Sequence, residues 1–89
     1  MTPGSSLGTT VTILLARACD NCEHARDLAR HIALARPDIR VRVQDVDEPG
    51  WSPPAGFIGT PTWLIDGDVV ALGNPTPAWL LDRLEEVAR

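Results

Sequence analysis

Cys19-Asp20-Asn21-Cys22 holds the only two thiols of the chain and its most specific chemical signal. A dithiol at this spacing has two chemical uses. One thiolate can attack a disulfide while the second releases the mixed disulfide, or the pair can grip a soft metal such as Cu(I) or zinc. It does not serve as a structural staple, because closing so short a loop removes little entropy from the unfolded chain. His24 extends the string to CxxCxH, a legitimate zinc set. Helical periodicity, however, groups His24 with Asp20, Asp27 and His31 on the face opposite the apolar stripe, which makes a solvated face the plainer reading.

The rest of the composition narrows the field. With 89 residues the chain has room for one hydrophobic core, read as a flexible leader over 1–10 and a single domain over 11–89. A net charge of −4 argues against a grip on nucleic acid, which needs clustered cations to displace counterions from phosphate. All eight basic residues are arginine, so lysine chemistry is excluded. The first eight residues lack the charged and apolar regions of a secretory signal, and no apolar run approaches the roughly 20 residues that cross a bilayer. The expectation is a cytoplasmic monomer with no membrane partner. No cofactor is implied, and no hydroxyl, imidazole and carboxylate are arranged as a nucleophilic triad. Asp45, Asp47, Glu48, Asp66 and Asp68 fall at a strand end and in a tight turn, where carboxylates serve the backbone.

The elements that must position the dithiol follow from apolar spacing. Val11–Ala16 is a nearly continuous apolar run, the pattern of a central strand covered on both faces. Cys22, Ala25, Leu28, Ala29, Ile32 and Ala35 recur at helical steps, and Arg36-Pro37 closes that helix. Ile39–Gln44 alternates strictly, with Ile39, Val41 and Val43 inward, as suits an edge strand. Asp66-Gly67-Asp68 between Thr62–Ile65 and Val69–Leu72 predicts an antiparallel hairpin. Thr76-Pro77 offers an N-cap followed by proline at the first helical position, and Leu80, Leu81, Leu84 and Val87 continue at helical spacing. The predicted order is β-α-β-β-β-α, an α/β fold with a four-stranded mixed sheet and helices on both faces. Cys19 then stands at the positive end of a helix, which favours its thiolate.

This layout resembles the thioredoxin and glutaredoxin superfamily over about residues 11–88. The resemblance rests on CxxC at the first strand-to-helix junction, Gly59-Thr60-Pro61-Thr62 opening a hairpin strand, a glycine turn and a final helix. It implies a minimal thioredoxin-like fold and a thiol-disulfide oxidoreductase in which Cys19 attacks and Cys22 resolves. It further implies that Pro61 is cis beside the dithiol and that the backbone of Thr60 pairs with an extended substrate. The implied partners are a disulfide-containing protein or a low-molecular-weight thiol, with a cellular reductase or thiol as electron donor. Arg17, two residues before Cys19, either stabilises a nearby thiolate or points to solvent.

Four features depart from the family pattern. Asp20 and Asn21 match neither Gly-Pro nor Pro-Tyr inside the motif, and the charge of Asp20 opposes ionisation of Cys19, pointing to a reductant or relay. Val11–Ala16 lacks an ionisable residue to take the proton of Cys22. Leu72-Gly73-Asn74-Pro75 stands where glutaredoxins bind glutathione with Gly-Gly and an acid. Residues 48–56, with three prolines and two glycines, replace a helix, and Trp51 and Phe57 are expected to cover the apolar side left open. The alternative function is a CxxC metal-binding module or metallochaperone. Copper chaperones share the strand–CxxC–helix start, but they end in a strand and usually carry a Met before the first Cys.

Overall fold

Thr10–Leu15 forms strand β1, and its alternation decides how the rest of the chain packs. Val11, Ile13 and Leu15 point to one face of the sheet, while Thr12 and Leu14 point to the other. The computed structural model describes residues 8–87. Residues 1–7 of the expected leader lie outside the described residues, whereas Thr9 is buried and Thr10 already belongs to β1.

Helix α1 spans Cys22–Ala35 and returns the chain to β2, Arg40–Asp45, which pairs parallel with β1. The hairpin follows as β3, Thr62–Ile65, and β4, Asp68–Leu72, with β3 antiparallel to β1. Helix α2, Pro77–Val87, ends the order. The sheet runs β2-β1-β3-β4, so β1 is central and β2 and β4 are edges. Local chemistry explains the boundaries. Asp66 and Gly67 both have positive φ, 51° and 90°, the geometry of a tight hairpin turn. The Thr76 hydroxyl accepts from the Trp79 N–H at 3.1 Å, and Pro77 follows as the first helical residue. A bulge at Trp63/Leu64 adds Val70 to β4 without a partner in the ladder.

The helices depart from expectation, because both lie on the same face of the sheet. Val11, Ile13 and Leu15 share one core cluster with Ala25, Leu28, Ala29 and Ile32 of α1 and with Leu80 and Leu84 of α2. Ile13 and Val11 pair with Trp63 and Ile65, which join the same cluster, and the two helices touch each other. Trp63 is the largest fully buried side chain. On the opposite face Leu14 and Leu64 are buried outside that cluster. The loop between β2 and β3 crosses this second face: a Cβ at Gly56 would stand 3.5 Å from Val69, whose strand partner is Leu64. Trp51 and Phe57 stack edge to face in that loop, with ring centroids 5.2 Å apart.

The edge strand differs at its far end. Ile39 is buried and Val41 half-buried, but Val43 is 50% exposed. There α1 meets β2 across a groove lined by Arg26, Arg30, Ala29, Ala33, Val41 and Val43, so arginine stems flank the valine without covering it.

Candidate active site at the head of the first helix

β1 delivers the chain to Ala16, and the turn that follows carries both cysteines. Cys19 and Cys22 form a disulfide, S–S 2.07 Å and Cα–Cα 5.4 Å. The two sulfurs are not equivalent: Cys22 is the first residue of α1 and 2% exposed, whereas Cys19 lies before the helix and is half-buried. A molecule arriving from solvent therefore meets Cys19. The Cys22 N–H donates to the Cys19 carbonyl at 3.3 Å, which closes the turn between them.

Asn21 is the N-cap residue of α1, and no side chain caps that end of the helix. Its carbonyl accepts from Ala25 N–H at 3.1 Å, the first helical bond, and also from the Asn74 side-chain amide at 3.0 Å. Asn74 in turn accepts from the Trp63 indole N–H at 3.4 Å. Asp20 is exposed, and so is Arg17, whose backbone N–H donates to the Asp47 carboxylate at 3.0 Å. Asp45 holds the Asp47 N–H at 2.8 Å, so these carboxylates order the loop after β2, as expected of them.

The second wall comes from the start of β3. Leu14 pairs with Thr62, which sets Pro61 beside the C-terminal end of β1, the end that leads to Cys19. The Thr60–Pro61 peptide bond is cis. Pro61 is buried, Thr60 is half-buried, and the Pro61 carbonyl accepts from Gly73 N–H at 2.9 Å. The Thr62 hydroxyl donates to the Gly59 carbonyl and fixes the approach to the proline. Thus Cys19, Cys22, Asn21, Thr60 and Pro61 share one end of the sheet, with Gly73 and Asn74 linking the proline to the dithiol turn.

Sequence reading missed Asn74 and Asp47 as parts of this end. Asn74 stood out only as a departure inside Gly73-Asn74-Pro75, and Asp47 as one of several loop acids. His24 and His31 are exposed, and among the described residues no three His, Cys, Asp or Glu side chains converge as a metal cage. Trp79 lies at the rim of the core with 42% of its surface exposed. Among the described residues no helix is long and apolar enough to cross a membrane.

Comparison with known proteins agrees with this fold. The family model of the thioredoxin domain matches residues 9–85. No curated protein matches. Among solved structures, the chain is similar to one from work on the structural basis of the thiol resolving mechanism in yeast mitochondrial 1-Cys peroxiredoxin via glutathione/thioredoxin systems. That likeness has 22% identity and a TM-score of 0.69, and it covers 88% of this chain and 77% of the other. At this identity it shows the fold alone, a mixed four-stranded sheet with two helices. With 9–85 of its 89 residues matched, this chain belongs to the thioredoxin domain family.

Proposed function

We propose that the protein is a thiol-disulfide oxidoreductase working through Cys19 and Cys22. The observation that carries this reading is the unequal exposure of two bonded sulfurs at a helix head, one reachable and one buried. In the reduced protein the Cys19 thiolate attacks a substrate disulfide, forming a mixed disulfide and expelling one substrate thiolate. Cys22 then attacks the Cys19 sulfur, the Cys19–substrate bond breaks, and the second substrate thiolate leaves. The substrate has gained two electrons and the protein holds its disulfide. A thiol or reductase of the cell returns the two electrons.

The flanking residues have roles in this scheme. The extended backbone of the substrate pairs with Thr60 beside cis-Pro61, which offers main-chain groups for strand-like contact. The Arg17 charge favours the Cys19 thiolate, and Asp20 opposes it. Because the charge of Asp20 makes Cys19 harder to ionise, the protein serves as a reductant or relay. A protein disulfide or a low-molecular-weight disulfide is the substrate class, and a reducing, cytoplasmic setting is where such a dithiol is regenerated. The similar structure named above comes from work on thiol resolution through glutathione and thioredoxin systems, which supports a thiol donor for this chain too.

Cys22→Ser tests the mechanism. It is expected to accumulate a mixed disulfide at Cys19 when mixed with a disulfide substrate, visible as added mass that dithiothreitol removes. An absence of any Cys19 adduct with both protein and glutathione disulfides would overturn the oxidoreductase reading. A reduction potential near −120 mV, the range of the strongest oxidants, would instead overturn only the reductant direction.

A further inference from the structure

One side-chain amide reaches two places of different character. The Asn74 oxygen accepts from the indole N–H of Trp63, and the Asn74 nitrogen donates to the main-chain carbonyl of Asn21, between the two cysteines. An indole N–H only donates and a carbonyl only accepts, so the two partners together fix which end of the amide faces which. Trp63 is fully buried in the helix-side cluster, which makes it an immobile anchor. Asn21 is exposed and caps α1 without a side-chain bond, and Asn74 holds its carbonyl from outside the turn. Asn74 therefore ties an exposed, functional turn to the rigid core.

Resting on the oxidoreductase reading, we propose that Asn74 is a positioning residue for the dithiol: anchored on Trp63, it holds the Asn21 carbonyl and so keeps Cys22 within bonding reach of Cys19. The step it serves is resolution. There the Cys22 thiolate attacks the Cys19 sulfur, the Cys19–Cys22 bond forms, the bond from Cys19 to the substrate sulfur breaks, and that sulfur leaves as a thiolate that water protonates. In the disulfide form the S–S bond itself restrains the turn. In the dithiol and mixed-disulfide forms that restraint is gone, and the amide adds a tie from outside the turn to the main-chain bonds from Cys22 N–H to the Cys19 carbonyl and from Ala25 N–H to the Asn21 carbonyl. Removing it frees those forms more than the disulfide, so more entropy is lost when the ring closes.

The test is Asn74→Ala equilibrated with a glutathione redox buffer beside the wild type. The constant for forming the Cys19–Cys22 disulfide is expected to fall about three- to tenfold, a rise in potential of about 15–30 mV for this two-electron couple. Trp63→Phe, which removes the indole donor but keeps a large ring, is expected to shift the constant in the same direction by less. A merely structural role lowers the stability of both redox forms alike and leaves the potential where it was. A folded Asn74→Ala variant whose constant stays within twofold of wild type overturns the assignment. Should both variants fail to fold, hydrogen exchange of the Asn74 side-chain amide in the wild type decides: protection supports the tether, and exchange as fast as a free amide overturns it. If the wild type itself does not titrate reversibly, the oxidoreductase reading falls and this proposal falls with it. If the wild type titrates and the variants match it, only the role of Asn74 is lost.

Discussion

The two ends of the sheet are fastened by different means. At the hairpin end, Asp66 N–H donates to the Thr10 carbonyl and Thr10 N–H donates to the Asp66 carboxylate, both at 2.9 Å, while Arg40 N–H reaches the Thr9 carbonyl at 3.1 Å. These bonds join neighbouring strands and serve the turn itself. At the dithiol end, side chains from other segments hold the loop backbone: Asp47 takes the Arg17 N–H and Asn74 takes the Asn21 carbonyl. A turn that only reverses the chain can fasten itself to the neighbouring strand through its own N–H and carboxylate. A loop that must leave one sulfur reachable cannot be covered by strand pairing, and it is fastened from outside.

The sharpest way to separate the ends is to remove their chemistry one at a time. Cys19→Ser is expected to lower disulfide exchange by about three orders of magnitude or more, since the remaining thiol, Cys22, is buried away from substrate. Its folding in the reduced state is expected to match wild type, measured by urea denaturation. A loss of stability as large as a core truncation, about 2–5 kcal/mol, would show that the dithiol end is also a structural keystone and would erase the contrast.

Asp66→Ala is expected to do the reverse. It deletes the acceptor for the Thr10 N–H and puts a residue with a Cβ but no local hydrogen bond at φ 51°, for a combined cost of about 1–2 kcal/mol. Exchange per folded molecule should not change. Asp47→Ala comes next in size: the Arg17 N–H it releases is exposed and water replaces the carboxylate, so stability falls by less than about 1 kcal/mol. Its exchange rate is expected to drop a few-fold, because the residue two positions before Cys19 is no longer fixed. Equal exchange in Asp47→Ala and wild type would mean that this fastening has no part in function.

What the sequence made legible follows the same division. The bounds of α1 were readable because Cys22, Ala25, Leu28, Ala29 and Ile32 form a stripe and Pro37 stops it, and the hairpin because Asp66-Gly67 admits positive φ. Each signal is local, and each lies within one turn or one helix. The side of the sheet on which α2 packs was not readable, because an apolar stripe says that a helix faces a sheet and not which face. Nor was the cover of Val43, since alternation cannot tell whether a helix reaches the end of an edge strand. The Asn74–Asn21 bond spans 53 residues and involves a main-chain carbonyl, which leaves no mark on residue type at position 21. Cys19, Cys22, Thr60 and Pro61 were legible as a set only through a family pattern, whereas the residues that fasten their turn belong to this chain's own packing.

The smallest expected effect lies back at the hairpin end, in the link between α1 and β2. Arg36 grips Asp38 with two bonds, Nε to Oδ1 at 3.0 Å and Nη2 to Oδ2 at 2.8 Å. The hydrogen bond from Arg36 is the chief reason that the Asp38 carboxyl is held below its ordinary value near 3.8. In the folded chain Asp38 thus binds a proton less readily than in the unfolded one. Its contribution to stability is complete above the unfolded value and fades as pH falls through the folded one. Asp38→Asn should therefore be slightly less stable than wild type near neutrality, and the two denaturation midpoints should converge below about pH 4. The pair is exposed, so salt should shrink the gap further. A gap that persisted unchanged into acid would mean that Asp38 acts through its shape in the turn and not through its charge, and this end of the sheet would then rest on turn geometry alone.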